Sequence, residues 1–243
     1  MRPAVPTISC TAHRSRSTPV AWPGHHAFAD GGHLRRRGPD DHREDRQRHR
    51  QLHLRRHRRR RFDPPDHRQG RPRPVLNAGI GGNRVLSDSA CFGQKATTRF
   101  RHDVLDQTHV GTVIVLEGTN DILMGETAPN ACTTTSRRVT AAELIEAHRA
   151  LIRAAHARGI TVIGATLPPG NGLESGTPAE TRAALNQWIR TAGAYEAVVD
   201  FDRVLADPLN PEQLLPAYAS KDGLHPNDAG YRAMADAVNV DSL

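Results

Sequence analysis

The run Thr112-Val113-Ile114-Val115-Leu116, continuing into Glu117-Gly118-Thr119-Asn120-Asp121, decides the fold. Five consecutive apolar or β-branched residues without polar alternation are the pattern of a strand covered on both faces. Such strands belong to parallel sheets with helices packed above and below. In open sheets of this kind, ligand-handling groups lie beyond the carboxyl ends of the strands, so Asn120 is well placed to offer its side-chain amide to a ligand. A turn that needs only Gly and Asn would carry the same residues.

Working outward, helices and strands alternate. Thr140-Ala141-Ala142-Glu143 forms a capping box, and Leu144, Ile145, His148, Leu151, Ile152 and Ala155 then follow on one helical face down to Gly159. His148 lies within that stripe and reads as a packed helix residue rather than a ligand. Ile160 to Thr166 is the next strand, followed by a Pro/Gly loop, Pro168 to Gly176. A helix capped by Thr177 comes next, with Leu185, Trp188 and Ile189 buried. Ala197 to Phe201 is a further strand, a long loop carries Leu214 to Leu224, and Asp228 to Val238 forms a last helix with Tyr231, Met234 and Val238 inward. On the other side, Val75-Leu76-Asn77 runs into Ala78-Gly79-Ile80-Gly81-Gly82-Asn83, a strand ending in a glycine loop whose backbone amides can face an anion. Lys95 to Gln107 is predicted as a helix and 124 to 139 as a polar loop. The alternation argues a parallel α/β sheet with right-handed crossovers.

Asp222-Gly223-Leu224-His225-Pro226-Asn227, just ahead of the last helix, places a carboxylate three residues before an imidazole. In a loop, Asp222 can turn back to accept the Nδ1 proton of His225, fixing the tautomer and leaving Nε2 to take a proton from a nucleophile. Gly82, Asn120 and the Asp222/His225 pair all follow or flank predicted strand ends. Together they supply a backbone N–H, an amide donor, a base and its orienter, which is most of an acyl-transfer site.

Charge is unevenly distributed. Residues 1–74 hold 19 Arg, no Lys, 9 His and 7 acidic residues, a balance of +12, whereas 75–243 hold 14 basic and 19 acidic residues, a balance of −5. The pI near 10.1 therefore describes the first third alone. That segment has only Val5, Ile8, Val20, Phe28, Leu34, Leu52, Leu54 and Phe62 as core formers, and from Leu34 to Pro74 neither a period of two nor one of 3.6. Translation of GC-rich DNA in the wrong frame fits this Arg-His-Pro bias without Lys best. Disorder fits it next, and a nucleic-acid-binding tail least. The expected division is thus 1–74, irregular, and 75–243, the folded domain. No run approaches the roughly 18 apolar residues of a membrane span, and residues 1–24 contain no continuous apolar signal core. Localisation stays open. Cys91 and Cys132 could pair in an exported protein, and the three cysteines have no metal spacing.

The glycine block 77–83, the block Gly118-Thr119-Asn120-Asp121 and the block 222–227, with Gly230-Tyr231, resemble those of the SGNH (GDSL-type) hydrolases, over residues 75–243. The resemblance implies a flavodoxin-like three-layer α/β/α sandwich and hydrolysis of a small-molecule ester, lipid or acylated carbohydrate through a serine acyl-enzyme. It implies no cofactor and no metal. Gly82 and Asn120 would serve the oxyanion hole, His225 would be the base and Asp222 its partner. The family's first block, a Gly-Asp-Ser turn after the first strand, has no counterpart before Gly79. Phe28-Ala29-Asp30-Gly31 has Gly in place of Ser, Ser9, Ser15 and Ser17 stand in irregular text, and Asp88-Ser89 follows the glycine block. The first strand is therefore expected to be missing or replaced and the nucleophile is unassigned. For want of that block the chain as written is expected to be nearly inactive as an esterase, and a catalytically dead remnant or a binding module is the alternative reading.

Overall fold

The structure, a computed structural model, describes residues 5–9, 74–133 and 137–243, the first of these as backbone. Five parallel strands form the central sheet: β1 (Val5–Ser9), β2 (Val75–Asn77), β3 (Thr112–Leu116), β4 (Thr161–Ala165) and β5 (Ala197–Val199), in the order β2-β1-β3-β4-β5. This is the flavodoxin-like order. Val113, Ile114, Val115 and Leu116 are all buried although neighbours along a strand point to opposite faces. The sheet is therefore covered on both sides, as the uninterrupted apolar run requires.

One expectation is corrected. The first strand is neither missing nor replaced by a segment from elsewhere: Val5–Ser9 occupies its place between β2 and β3, pairing Thr7 with Asn77 on one side and with Ile114 on the other, and Ser9 with Leu116. Val5 and Ile8 were too isolated to signal a strand by periodicity, and it is the two flanking strands that give this short segment its hydrogen-bond partners. The sheet thus draws one strand from the segment 1–74. The rest of what was expected there, the Arg-rich stretch included, lies outside the described residues.

The helices are α1 (Ala96–Phe100, prolonged by a π-helical turn, Arg101–Leu105), α2 (Thr119–Gly125), α3 (Ala141–His156), α4 (Gly176–Thr191), α5 (Phe201–Leu205) and α6 (Asp228–Asp236). The crossovers β2→β3, β3→β4 and β4→β5 all advance in one direction, so right-handedness puts α1, α3 and α4 on one face, where α1 packs on α3 and α3 on α4. The capping box of α3 forms as read: Glu143 N donates to Thr140 Oγ1 and Thr140 N to Glu143 Oε2. Its stripe Leu144, His148, Leu151, Ile152 and Ala155 is buried.

Three local readings differ. Helix α4 runs from Gly176 after Ser175 rather than from a Thr177 cap, and Gly176 enters it with a left-handed φ of 60° that glycine allows. Pro178 then falls at the third helical position, still among the first four, whose N–H groups have no intrahelical acceptor. Asn120 stands on a short helix rather than in an open turn. The strand read over Ala197 to Phe201 ends at Val199, with Phe201 opening α5 behind an Asp200 cap, and the stretch beyond it holds a small hairpin, β6 (Ala206–Asp207) with β7 (Asn210–Leu214). Arg182 and Arg190 of α4 hold this region to the sheet end, through Asp202 and Glu212 and through Asp200 and Asp202 respectively. Among the described residues no helix is long and apolar enough to cross a membrane.

Candidate active site

The β1/β3 boundary is where the sheet's winding reverses, since β1 leads to β2 on one side while β3 leads to β4 and β5 on the other. A crevice forms outside the carboxyl ends of the strands at such a point. Ser9 closes β1 there, and Leu116 closes β3 four residues before Asn120.

After β2 the chain turns at once. Asn77 Oδ1 accepts the amide of Gly79 (2.8 Å) and Ile80 O accepts that of Asn83 (3.1 Å), enclosing Gly82 in a tight turn with φ 73°. A Cβ on Gly82 would lie 2.5 Å from the Phe92 ring, so glycine is required both by conformation and by space. Among the described residues the Gly82 amide donates to no acceptor.

Asn83 ties this turn to its surroundings. Its Nδ2 donates to Phe92 O and Gln94 O (2.8 Å each), and its carbonyl accepts Nδ2 of Asn120 (3.0 Å). Next to Asn120, Asp121 accepts the amides of Val85 (2.8 Å) and Leu86 (2.9 Å). Burial pushes the Asp121 carboxyl up to about 6, against those two amides and Arg84, which pull it down. Sequence reading gave Asp121 no role of its own. The signal was available: an acid at the N-terminus of a helix behind a glycine, 35 residues from the turn it holds.

The third block is built on its own backbone. Asp222 Oδ2 lies 2.7 Å from His225 Nδ1, while its Oδ1 accepts the amides of Leu224 (3.0 Å) and His225 (2.9 Å). Burial alone would raise the Asp222 carboxyl, but the His225 and Leu224 amides and the His225 ring outweigh it and hold it below the ordinary range. The carboxylate orients Nδ1–H, and Nε2 of His225 has no partner among the described residues. Ser220 N donates to His225 O (2.8 Å) and Ser220 Oγ to Pro226 O (3.1 Å), while Asn227 caps α6 through the amides of Ala229 and Gly230. With side-chain exposures of 46% for His225 and 51% for Asp222, the pair is open to a ligand.

The loop 168–176 after β4 bridges the blocks. Asn171 donates its Nδ2 to Asp222 O (2.7 Å) and its backbone N to Gly223 O (3.0 Å). Gly172 packs so closely on α2 that a Cβ would meet Leu123 at 2.8 Å. The structure therefore joins Gly82 and Asn120 directly through Asn83, pairs Asp222 with His225, and links the two halves through Asn171 and Gly172.

Ser89, the other serine weighed in the sequence, serves the scaffold. Its Oγ donates to Cys132 O (2.7 Å) and accepts the amides of Cys91 and Phe92. Cys91 and Cys132 are joined as a disulfide. A depression of about 650 Å³ along α6, lined by Tyr218, Asp228, Ala229, Arg232, Ala233 and Asp236, contains none of the candidate residues.

The profile of the GDSL-like Lipase/Acylhydrolase family matches residues 38–233. Among solved structures, a GDSL-like lipase from Bacteroides thetaiotaomicron is 23% identical with a TM-score of 0.50, over 67% of this chain and 72% of its own. The acetylxylan esterase Axe2 from Geobacillus stearothermophilus is 22% identical with a TM-score of 0.52, over 68% and 70%. TesA is 19% identical with a TM-score of 0.51, over 71% and 79%. At these identities the likeness is one of fold. No curated protein matches the chain.

Proposed function

Because the chain belongs to the GDSL-like Lipase/Acylhydrolase family, a family of hydrolases, we propose that it cleaves a carboxylic ester through a serine acyl-enzyme. The observation that carries this is the 2.7 Å contact between His225 Nδ1 and Asp222, which presents an oriented imidazole with Nε2 outward. In this reading Nε2 takes the proton of a serine hydroxyl as its oxygen attacks the ester carbonyl, and Asp222 stabilises the imidazolium. The Gly82 N–H and the Asn120 side-chain amide stabilise the oxyanion. Collapse expels the alcohol, protonated by His225, and water then attacks the acyl-enzyme with His225 again as base.

The nucleophile is expected from the carboxyl end of β1, where Ser9 stands beside Leu116 of β3. Substrates of the right class are short-chain acyl esters, lipids and acetylated carbohydrates. Hydrolysis of p-nitrophenyl acetate by the full chain and by its His225→Ala and Ser9→Ala variants tests the reading. Turnover lost in both variants supports it. Turnover lost only in His225→Ala moves the nucleophile away from Ser9.

A second reading, a non-catalytic binding protein on the same fold, draws on one observation. Ser9 is followed by Cys10-Thr11-Ala12 and not by a Gly-Asp-Ser turn. Under it the wild-type chain and His225→Ala are equally inert.

A further inference from the structure

One buried guanidinium contacts both segments that carry the proposed oxyanion donors. Arg99 on α1 is 5% exposed. Its Nε donates to Asn83 Oδ1 (2.8 Å), its Nη1 to Ala78 O (2.7 Å) and Asp103 Oδ2 (2.8 Å), and its Nη2 to Glu117 Oε1 (3.1 Å). Ala78 and Asn83 are the two ends of the turn that contains Gly82. Glu117, fully buried, follows β3 and stands three residues before Asn120. From the other side His148 Nε2 holds the Glu117 carbonyl at 3.1 Å.

We propose that Arg99 is a positioning residue for catalysis: a brace that fixes the Gly82 turn against the Asn120 segment, so that the two donors converge on one oxygen. The proposal rests on the roles given to Gly82 and Asn120 above. The turn itself is weakly constrained, since Gly79, Gly81 and Gly82 lie within five residues and glycine leaves the backbone many alternatives. A buried ion pair is a poor source of stability, because desolvating both charges offsets their attraction, and neutral side chains of similar volume do as well or better. What the guanidinium supplies here is direction: a rigid planar fork reaching Asn83, Ala78 and Glu117 at once, which the single ammonium of lysine cannot reproduce. Oxyanion stabilisation depends on donors already aimed before reaction, so a looser turn costs rate rather than binding.

The test uses the full chain, Arg99→Lys, and Arg99→Met/Glu117→Gln, which removes both buried charges together and keeps the side-chain volumes. Amide hydrogen exchange, denaturant midpoints, and kcat and KM for p-nitrophenyl acetate are measured for each. The brace predicts exchange of the Asn83 amide, which Ile80 O holds at 3.1 Å, faster by about tenfold or more, with the amides of β3 and β4 unchanged. It also predicts kcat lower by about tenfold to a hundredfold at constant KM, with Arg99→Lys affected in the same sense. If the double variant does not fold, Arg99→Lys decides by the same readouts. A wild-type exchange rate at the Asn83 amide in the folded variants overturns the proposal, as does faster exchange with kcat unchanged. If the wild-type chain has no His225-dependent turnover, the esterase reading fails and the catalytic role of Arg99 falls with it, while exchange of the Asn83 amide separately decides whether Arg99 holds the turn.

Discussion

Asp222 uses one carboxylate oxygen for the ring of His225, at 2.7 Å, and the other for the amides of Leu224 and His225, at 3.0 and 2.9 Å. Both oxygens are thus acceptors, and no neutral side chain of this shape can replace them. In Asp222→Asn an NH2 must face either two N–H groups or Nδ1, and in the second case the imidazole is driven to the wrong tautomer. Under the proposed esterase mechanism, kcat is expected to fall by roughly 10²–10⁴ in Asp222→Asn with KM little changed. Because the folded-state carboxyl is held below its ordinary value of 3.8, acidification to pH 5 leaves Asp222 charged. Loss of rate above pH 5 therefore arises elsewhere, and a kcat/KM profile of the wild type against Asp222→Asn checks both statements.

The Cys91–Cys132 disulfide ties the loop that presents Phe92 to Gly82 to the loop that follows α2. Closing a loop across a separation of 41 residues removes about 4 kcal/mol of unfolded-state entropy on the chain-entropy model. Reduction, or Cys91→Ser/Cys132→Ser, should lower Tm by roughly 10 °C. Such a crosslink persists in an oxidising compartment. Calorimetry with and without a thiol reductant gives the answer, and an unchanged Tm with both thiols shown to be free would refute it.

What sequence reading could reach depended on how many residues spoke for each element. β3 and α3 were legible because four apolar residues in a row behind a β-branched Thr112, and five apolar residues on one face behind a capping box, specify their own environment. Val5–Ser9 was not, because Pro6 and Thr7 interrupt the run and its partners Val75–Asn77 and Thr112–Leu116 lie more than 60 residues away. The Asp222/His225 contact was legible because both residues sit in one turn. Arg99 was invisible as part of the site. Its partners Ala78, Asn83 and Glu117 are brought to it only by the packing of α1 between the glycine turn and β3, and a buried arginine on a helix looks like any surface arginine until the fold is known.

His148 and Asp121 make opposite demands on pH. The Glu117 carbonyl can only accept, so His148 carries its proton on Nε2, and Nδ1 accepts the Tyr195 hydroxyl at 2.5 Å. Burial lowers His148 from 6.5 to about 4. Its folded pKa lies below the unfolded one, so its contribution is complete above pH 6.5 and is lost as pH falls toward 4, by roughly 3 kcal/mol. Asp121, raised by burial from 3.8 to about 6, behaves in reverse. Its contribution is complete below pH 3.8 and is lost as pH rises through 6, again by roughly 3 kcal/mol. Between pH 4 and 6 the two offset each other. His148→Gln should therefore gain stability on acidification relative to wild type, and Asp121→Asn should lose it. Urea midpoints at pH 4, 5, 6 and 7 measure this, and parallel curves for all three proteins would contradict it.

Gly82 is constrained twice, and the two constraints can be separated. Its φ of 73° costs any other L-residue about 1–2 kcal/mol, and a Cβ would sit 2.5–2.7 Å from three atoms of the Phe92 ring, too close to coexist. The Phe92 backbone is pinned, its carbonyl by Asn83 Nδ2 and its amide by Ser89 Oγ, next to a disulfide, so the ring can leave only by turning about its own side-chain bonds. Gly82→Ala is therefore expected to destabilise by about 2–4 kcal/mol, the φ cost plus overpacking. Under the oxyanion role proposed for Gly82, it should lower kcat by roughly 10²–10³, the value of one misdirected donor. Adding Phe92→Ala removes the collision but leaves the φ strain, so the double variant should recover part of the stability lost by Gly82→Ala, after correction for Phe92→Ala alone. Denaturant midpoints for the four proteins of this cycle measure the coupling. A coupling near zero would mean that the ring yields without cost and that the backbone conformation alone excludes a side chain at position 82.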